Sequence, residues 1–347
     1  MKDAATGEKI LVIRFSALGD VAMTVPVVKA FLDAYPEKEL VMLGDKKLAD
    51  LFHGIDRLEF FGAELNGAHN GVLGIIKLFN TLRKQYSFHL VADLHGVLRT
   101  HLLRFLFTLI GKKSAVIDKG RIDKYALTRR EHKIFRPLSH ATVRYINVFF
   151  RLGFQVDSIK EKISAFGNEN QSANNPTLTA KKKIGFAPFA KHDAKMYSLD
   201  SFKEIIKYFD DGSNELYLFS GKGAEERIVA VWQKEFRNVV QPLEKNSLKS
   251  ELEIMKGLDL MLTMDSANMH LASLVDIPVV SIWGATHPYA GFYGYNQNPL
   301  NAVQVSLSCR PCSVFGNKVC WRGDHACMTS ITPQMVIDKM NDVLAKG

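Results

Sequence analysis

Short apolar runs alternate with stretches whose apolar residues recur at helical spacing, from one end of the chain to the other. Ile10 to Arg14 reads as a buried strand and Val21 to Ala34 as a helix. Leu40 to Leu43 is a second strand, Gly71 to Tyr86 a helix, His89 to Asp93 a strand, Val97 to Ile110 a helix and Ala115 to Ile117 a strand. This strand–helix rhythm argues for a parallel sheet covered on both faces. It lapses in Gly167 to Thr177, a polar, Asn-rich stretch without apolar period, as a linker would. It then restarts with strand Lys183 to Ala187, helix Asp200 to Phe209, strand Leu216 to Phe219 and helix Ala224 to Phe236. Strand Leu258 to Thr263, helix Met269 to Leu274 and strand Val279 to Trp283 follow. The expected fold is therefore α/β, with two Rossmann-like domains of parallel sheet. Residues 1–168 form the first domain, 169–180 the linker, 181–330 the second domain, and 331–347 a C-terminal helix placed back on the first domain.

Size fits that division, because 347 residues is long for one core and comfortable for two of about 150 to 170. The composition, 47% hydrophobic and 23% charged, is ordinary for a soluble globular protein. No stretch approaches the roughly 18 to 20 apolar residues of a membrane span, and the N-terminus offers no signal-peptide core, so a cytoplasmic protein is expected. Net charge is +9. The excess concentrates in Lys112 to Arg144, which holds ten lysines and arginines against Asp118, Asp123 and Glu131. A solvated face, a phosphorylated substrate and an anionic membrane surface all account for such a block. Nucleic acid ranks last, since no zinc-finger spacing or RNP-type aromatic pattern accompanies it.

Ligands of paired Rossmann-like domains gather at the carboxyl ends of the strands. Two strand-to-helix passages carry suitable residues there. In Arg14-Phe-Ser-Ala-Leu-Gly-Asp-Val21, Gly19 permits a tight turn and Asp20 falls at or beside the helix N-cap. A cap is worth about 1 kcal/mol, and a carboxylate at that edge can equally deprotonate a hydroxyl. In Met264-Asp-Ser-Ala-Asn-Met-His-Leu-Ala272, the small Ser266 and Ala267 let backbone amides approach an anion, and the helix start adds positive potential. A diphosphate suits that turn, with His270 either touching a phosphate or packed inside. Neither G-x-G-x-x-G nor G-x-x-x-x-G-K-[ST] occurs, which disfavours a dinucleotide cofactor and excludes an ATPase P-loop.

Together, Ile10 to Val21 and Met264 to Ser273 resemble the heptosyltransferase family, glycosyltransferase family 9. Asp93-Leu-His-Gly-Val-Leu-Arg99, His140 to Tyr145 and Pro278 to Thr286 add to the likeness. The resemblance implies a GT-B fold, with an N-terminal acceptor domain, a C-terminal nucleotide-sugar domain and a central cleft. It implies inverting transfer of heptose from ADP-heptose to an anionic Kdo-lipid A type core, without a required cofactor. Asp20 would be the base, with Ser16, Gly19, Arg99 and Arg144 toward the acceptor. Toward the donor it implies Lys195 (Lys191 being the rival), Glu225 for the ribose, and Asp265, Ser266, Ala267 and His270. Peripheral contact of helix Val97 to Ile110 with the inner membrane is a further expectation, although a buried amphipathic helix explains that stretch as well. Two readings stay open beside this one: the same fold with another nucleotide sugar, and a non-catalytic sugar-nucleotide or lipid-core binder.

All four cysteines fall within Cys309, Cys312, Cys320 and Cys327. Such a dense cluster in a cytoplasmic protein points to a structural zinc before disulfides, with His325 as a fifth candidate ligand.

Overall fold

The computed structural model describes residues 8–156, 181–240 and 247–346. The expected linker, 169–180, lies outside the described residues. Two α/β units emerge. The first contains β1 (Glu8–Ile13), α1 (Leu18–Ala22), α2 (Val25–Ala34), β2 (Lys38–Asp45), β3 (Leu58–Ala63), α3 (Gly71–Gln85), β4 (Phe88–Asp93), α4 (Leu98–Leu109) and β5 (Lys113–Val116). The chain passes to the second unit for α5 (Arg121–Thr128) and returns to the first for α6 (Ala141–Leu152). The second unit continues with β6 (Lys182–Ala187), α7 (Leu199–Phe209), β7 (Asn214–Leu218), α8 (Ala224–Glu235), α9 (Leu248–Lys256) and β8 (Leu260–Met264). It ends with α10 (Ala267–Leu274), β9 (Val279–Ile282), β10 (Ala302–Val303), α11 (Ala326–Thr329) and α12 (Pro333–Leu344).

Each unit is built on a five-stranded, all-parallel sheet, ordered β3-β2-β1-β4-β5 in the first and β10-β9-β8-β6-β7 in the second. Leu11, Ile13, Val41, Leu43 and Val91 pack under Leu78, Leu82, Leu103 and Phe107 of α3 and α4 to form one core. In the other, Ile184, Phe186, Leu216, Leu260 and Val280 meet Phe202 and Ile205 of α7. Burial on both faces is what allows these strands to be continuous apolar runs without polar alternation.

The structure corrects several expectations. Val21 to Ala34 is two helices, because Pro26 lacks the amide that an unbroken helix needs and sits instead in the first turn of α2. Strand β3 escaped the pattern because it is a half-buried edge strand, Leu-Glu-Phe-Phe-Gly-Ala. Residues 120–140 belong to the second unit rather than the first. The C-terminal helix packs in the second unit, not back on the first domain. Val336, Ile337 and Met340 of α12 enter the second core, against α7 and the sheet.

Charge explains how 120–140 is held there. The Lys133 ammonium donates to the carbonyls of Cys309 (2.8 Å) and Pro311 (2.9 Å). The Lys124 ammonium lies 4.3 Å from the Phe292 ring centre, and the Arg130 guanidinium 4.1 Å from that of Trp321. Part of the basic block is therefore structural.

Candidate active site

In a doubly wound sheet, ligands sit beyond the carboxyl ends of the strands where the winding reverses. In the first unit that point lies between β1 and β4, and both strand ends carry polar residues. Asp20 is the third residue of α1 and does not cap it, because the N-cap is Ala17. Its carboxylate instead meets the Arg14 guanidinium at 2.8 Å. Arg14 ends the β1 run, is 7% exposed, donates to the Leu94 carbonyl at 2.7 Å and lies over the Tyr145 ring. The Tyr145 hydroxyl in turn donates to the Asp20 carbonyl at 3.3 Å. A buried guanidinium needs such partners to offset desolvation, and these tie Asp20 to both strands. Its side chain keeps 26% exposure, enough for a ligand to reach.

Asp93 organises the turn after β4. Its buried carboxylate accepts the amides of His95 (2.9 Å) and Gly96 (2.8 Å). Burial, then the charges of Arg14 and Lys119, push His95 down to about 3, so its imidazole is neutral at neutral pH. Ser16 is exposed just past β1 and Gly19 is buried in α1. Arg99 is exposed in the first turn of α4, and its charge also bears on His95. Arg144 is turned to the Asp118 carbonyl at 3.3 Å.

In the second unit the winding reverses between β6 and β8. Lys195, on the loop after β6, places its ammonium 2.9 Å from a carboxylate oxygen of Asp265, the first residue after β8. Thr286, beyond β9, donates its hydroxyl to that same oxygen at 2.7 Å. Ser266 is the N-cap of α10 and Ala267 its first residue, so first-turn amides point out of the helix start toward where an anion would bind. His270 is buried within that helix. Lys191 is exposed on the loop. Tyr197, two residues beyond Lys195, is a core anchor whose hydroxyl donates to the Ile331 carbonyl at 2.8 Å. Glu225 lies apart, after β7, and accepts the Gly221 amide at 2.7 Å. Glu226 closes the start of α8 through the Gly223 amide.

The structure thus brings Lys195, Asp265, Ser266 and Ala267 together at one strand-end site and sets Asp20, Ser16 and Gly19 at another. Sequence reasoning quoted the segments that hold Arg14, His95, Tyr145 and Thr286 but gave none of these residues a role. Arg14 was signalled by a cation closing an apolar, buried strand, which demands a partner. Thr286 closes the Pro278 to Thr286 segment, but nothing in that segment marks it as a partner for Asp265.

Cys309, Cys312, Cys320 and Cys327 are free thiols that line one cavity of ≈ 20 Å³ with Arg310 and His325. Burial raises the Cys327 thiol to about 11. The donor set suits zinc by chemistry, but among the described residues no three His, Cys, Asp or Glu side chains are placed to hold one ion.

Each unit thus carries a polar strand-end site of its own, a carboxylate paired with an arginine in the first and a lysine beside a helix start in the second. The glycosyltransferase family 9 (heptosyltransferase) model matches residues 75–320, and the chain belongs to that family. It is an α/β glycosyltransferase. It is 23% identical over 337 residues to lipooligosaccharide heptosyltransferase 2 of Campylobacter jejuni, covering 93% of this chain and 95% of that one. Its fold matches a glycosyl transferase family 9 structure from Veillonella parvula with a TM-score of 0.72, 19% identity and 98% coverage of both chains. It also matches E. coli ADP-heptose lps heptosyltransferase II with a TM-score of 0.66, 17% identity, and coverage of 97% of this chain and 99% of that one. The fold expected from sequence, GT-B with two Rossmann-like domains, stands. Among the described residues no helix is long and apolar enough to cross a membrane.

Proposed function

We propose that this glycosyltransferase moves heptose from ADP-heptose to an anionic lipopolysaccharide-type inner core by a single inverting displacement. The observation that carries the reading is the pair of strand-end sites, Asp20 with Arg14 and Lys195 with Asp265. The names of the C. jejuni and E. coli relatives support the donor and acceptor classes. Asp20 takes the proton of the acceptor hydroxyl as its oxygen bonds to the anomeric carbon. The bond from that carbon to the diphosphate oxygen breaks, and ADP leaves with the electron pair. Lys195 and the first amides of α10 meet the charge that grows on the diphosphate. A transfer and hydrolysis assay across a panel of nucleotide sugars tests this. ADP-heptose should be consumed fastest with a Kdo-lipid A acceptor. Turnover of a different donor replaces the sugar, and binding without turnover of any donor makes the chain a binder.

The acceptor class also proposes a place of work at the cytoplasmic membrane surface. Helices α3 and α4, packed together, contain no acidic residue and carry Lys77, Arg83, Lys84, Arg99 and Arg104. On α4, Leu98 (87% exposed), Phe105 (57%) and Leu109 (66%) recur at helical spacing on the face opposite the buried Leu103 and Phe107. An exposed apolar stripe on a helix pair that is basic and free of acidic residues fits an anionic bilayer. Co-sedimentation with phosphatidylglycerol vesicles should fall by about tenfold in the Leu98→Asp, Phe105→Asp double variant. Phosphatidylcholine vesicles should bind weakly throughout, and equal binding by the variant and the parent removes the idea.

A further inference from the structure

The loop that follows Cys309 lies outside both strand-end sites, yet its contacts converge on Lys195. Arg310 is 4% exposed, and its guanidinium donates to the carbonyls of Gly284 (2.6 Å), Thr286 (2.9 Å) and Trp283 (3.1 Å). It also donates to the Val305 carbonyl and the Gln304 side chain. The amides of Cys312 and Ser313 both donate to the Ala285 carbonyl, at 3.1 and 3.3 Å. The Ala285 amide donates to the Ala194 carbonyl at 3.1 Å, one residue before Lys195. The stretch 283–286 is thus clamped between this loop and the lysine's own turn. From it Thr286 reaches Asp265, and Asp265 holds the Lys195 ammonium.

Gly316 completes the arrangement. Its φ is +76°, and a Cβ there would lie 2.3 Å from Cγ and 2.4 Å from Cδ of Lys195, far inside van der Waals contact. Its amide is held by the hydroxyl of the buried Ser313 at 2.9 Å. The absent side chain at 316 is therefore the space in which the stem of Lys195 runs. A lysine left to itself samples many rotamers, and one confined in a channel and paired at its tip is ordered before any ligand arrives.

We infer that Arg310, Ser313 and Gly316 are positioning residues that hold Lys195 ready for the donor diphosphate. The inference rests on the donor reading of Lys195 given above. Gly316→Ala forces the stem out of its channel. Ser313→Ala is the milder variant, which loosens the Gly316 turn while adding no bulk, and serves if Gly316→Ala folds poorly.

Two measurements separate the parts. Acetylation of Lys195 by an amine-reactive ester, read by mass spectrometry, reports the lysine's confinement without any donor. It should run at least about threefold faster in Gly316→Ala, and faster in Ser313→Ala, because the amine leaves its ion pair. An unchanged rate in both overturns the inference. ADP binding by calorimetry then supplies a double-mutant cycle. Gly316→Ala should weaken ADP by about tenfold in the parent and by almost nothing in a Lys195→Ala background, since its effect passes through that lysine. An equal loss in both backgrounds assigns Gly316 a merely structural role and overturns the proposal. Faster acetylation combined with an ADP affinity that Lys195→Ala leaves unchanged keeps the positioning and sinks the donor reading.

Discussion

Turnover of the Asp20→Asn enzyme is expected to fall by about a hundredfold or more, while its affinity for the donor stays near that of the parent. The amide keeps the shape and still offers an oxygen to Arg14, so the turn at α1 persists. What it loses is the ability to take a proton as the acceptor oxygen attacks. His95 cannot substitute. Its imidazole is pushed down to about 3 by burial and by Arg14 and Lys119, and it bonds to the backbone of Phe15. Between pH 5 and 8 it therefore contributes no titration, and His95→Gln should leave the shape of the rate profile there unchanged. The measurement is kcat at saturating donor and acceptor, with ADP affinity by calorimetry as the control. A variant that turns over at the parent rate removes Asp20 from the chemistry and leaves it a partner for Arg14 alone. A variant that loses ADP binding as well has been damaged elsewhere.

How far such a site could be read beforehand depends on the range of the interaction behind it. Asp20 was legible because a Gly-Asp directly after an apolar strand and before a helix is a local pattern. Its tie to Leu94 through Arg14 was not, since 80 residues separate Arg14 from that carbonyl and only the pairing of β1 with β4 brings them together. The lysine and its carboxylate show the same limit. Lys195 and Asp265 were each singled out, but their contact depends on β6 lying beside β8. Asp265, singled out toward the donor, also holds the lysine. The C-terminal helix was legible, but the apolar stripe it carries at Val336, Ile337 and Met340 does not name the surface that covers it. Likewise, the cysteine spacing was plain, whereas the placement of four thiols along one cavity with Arg310 depends on backbone that no spacing encodes.

Lys195→Ala should differ from the Asp20 variant by weakening donor binding and rate together. ADP affinity should fall about tenfold and kcat/KM by about a hundredfold or more, the larger loss falling on the rate because charge on the departing diphosphate grows toward the transition state. The substitution also leaves the Asp265 carboxylate, which is 8% exposed, with Thr286 as its donor and without its cation. Stripping one partner from a buried pair is costly, so thermal stability should drop as well, by about 1–3 kcal/mol after allowance for the residual exposure of both groups. That cost makes Lys195→Ala ambiguous by itself. Pairing it with Asp265→Asn resolves the ambiguity. If the lysine acts on the donor, the double variant should recover much of the stability while its kcat/KM stays as low as that of Lys195→Ala alone. Should activity return along with stability, Lys195 is a counter-ion for Asp265, and the cation that meets the diphosphate must be sought elsewhere, with Lys191 first in line.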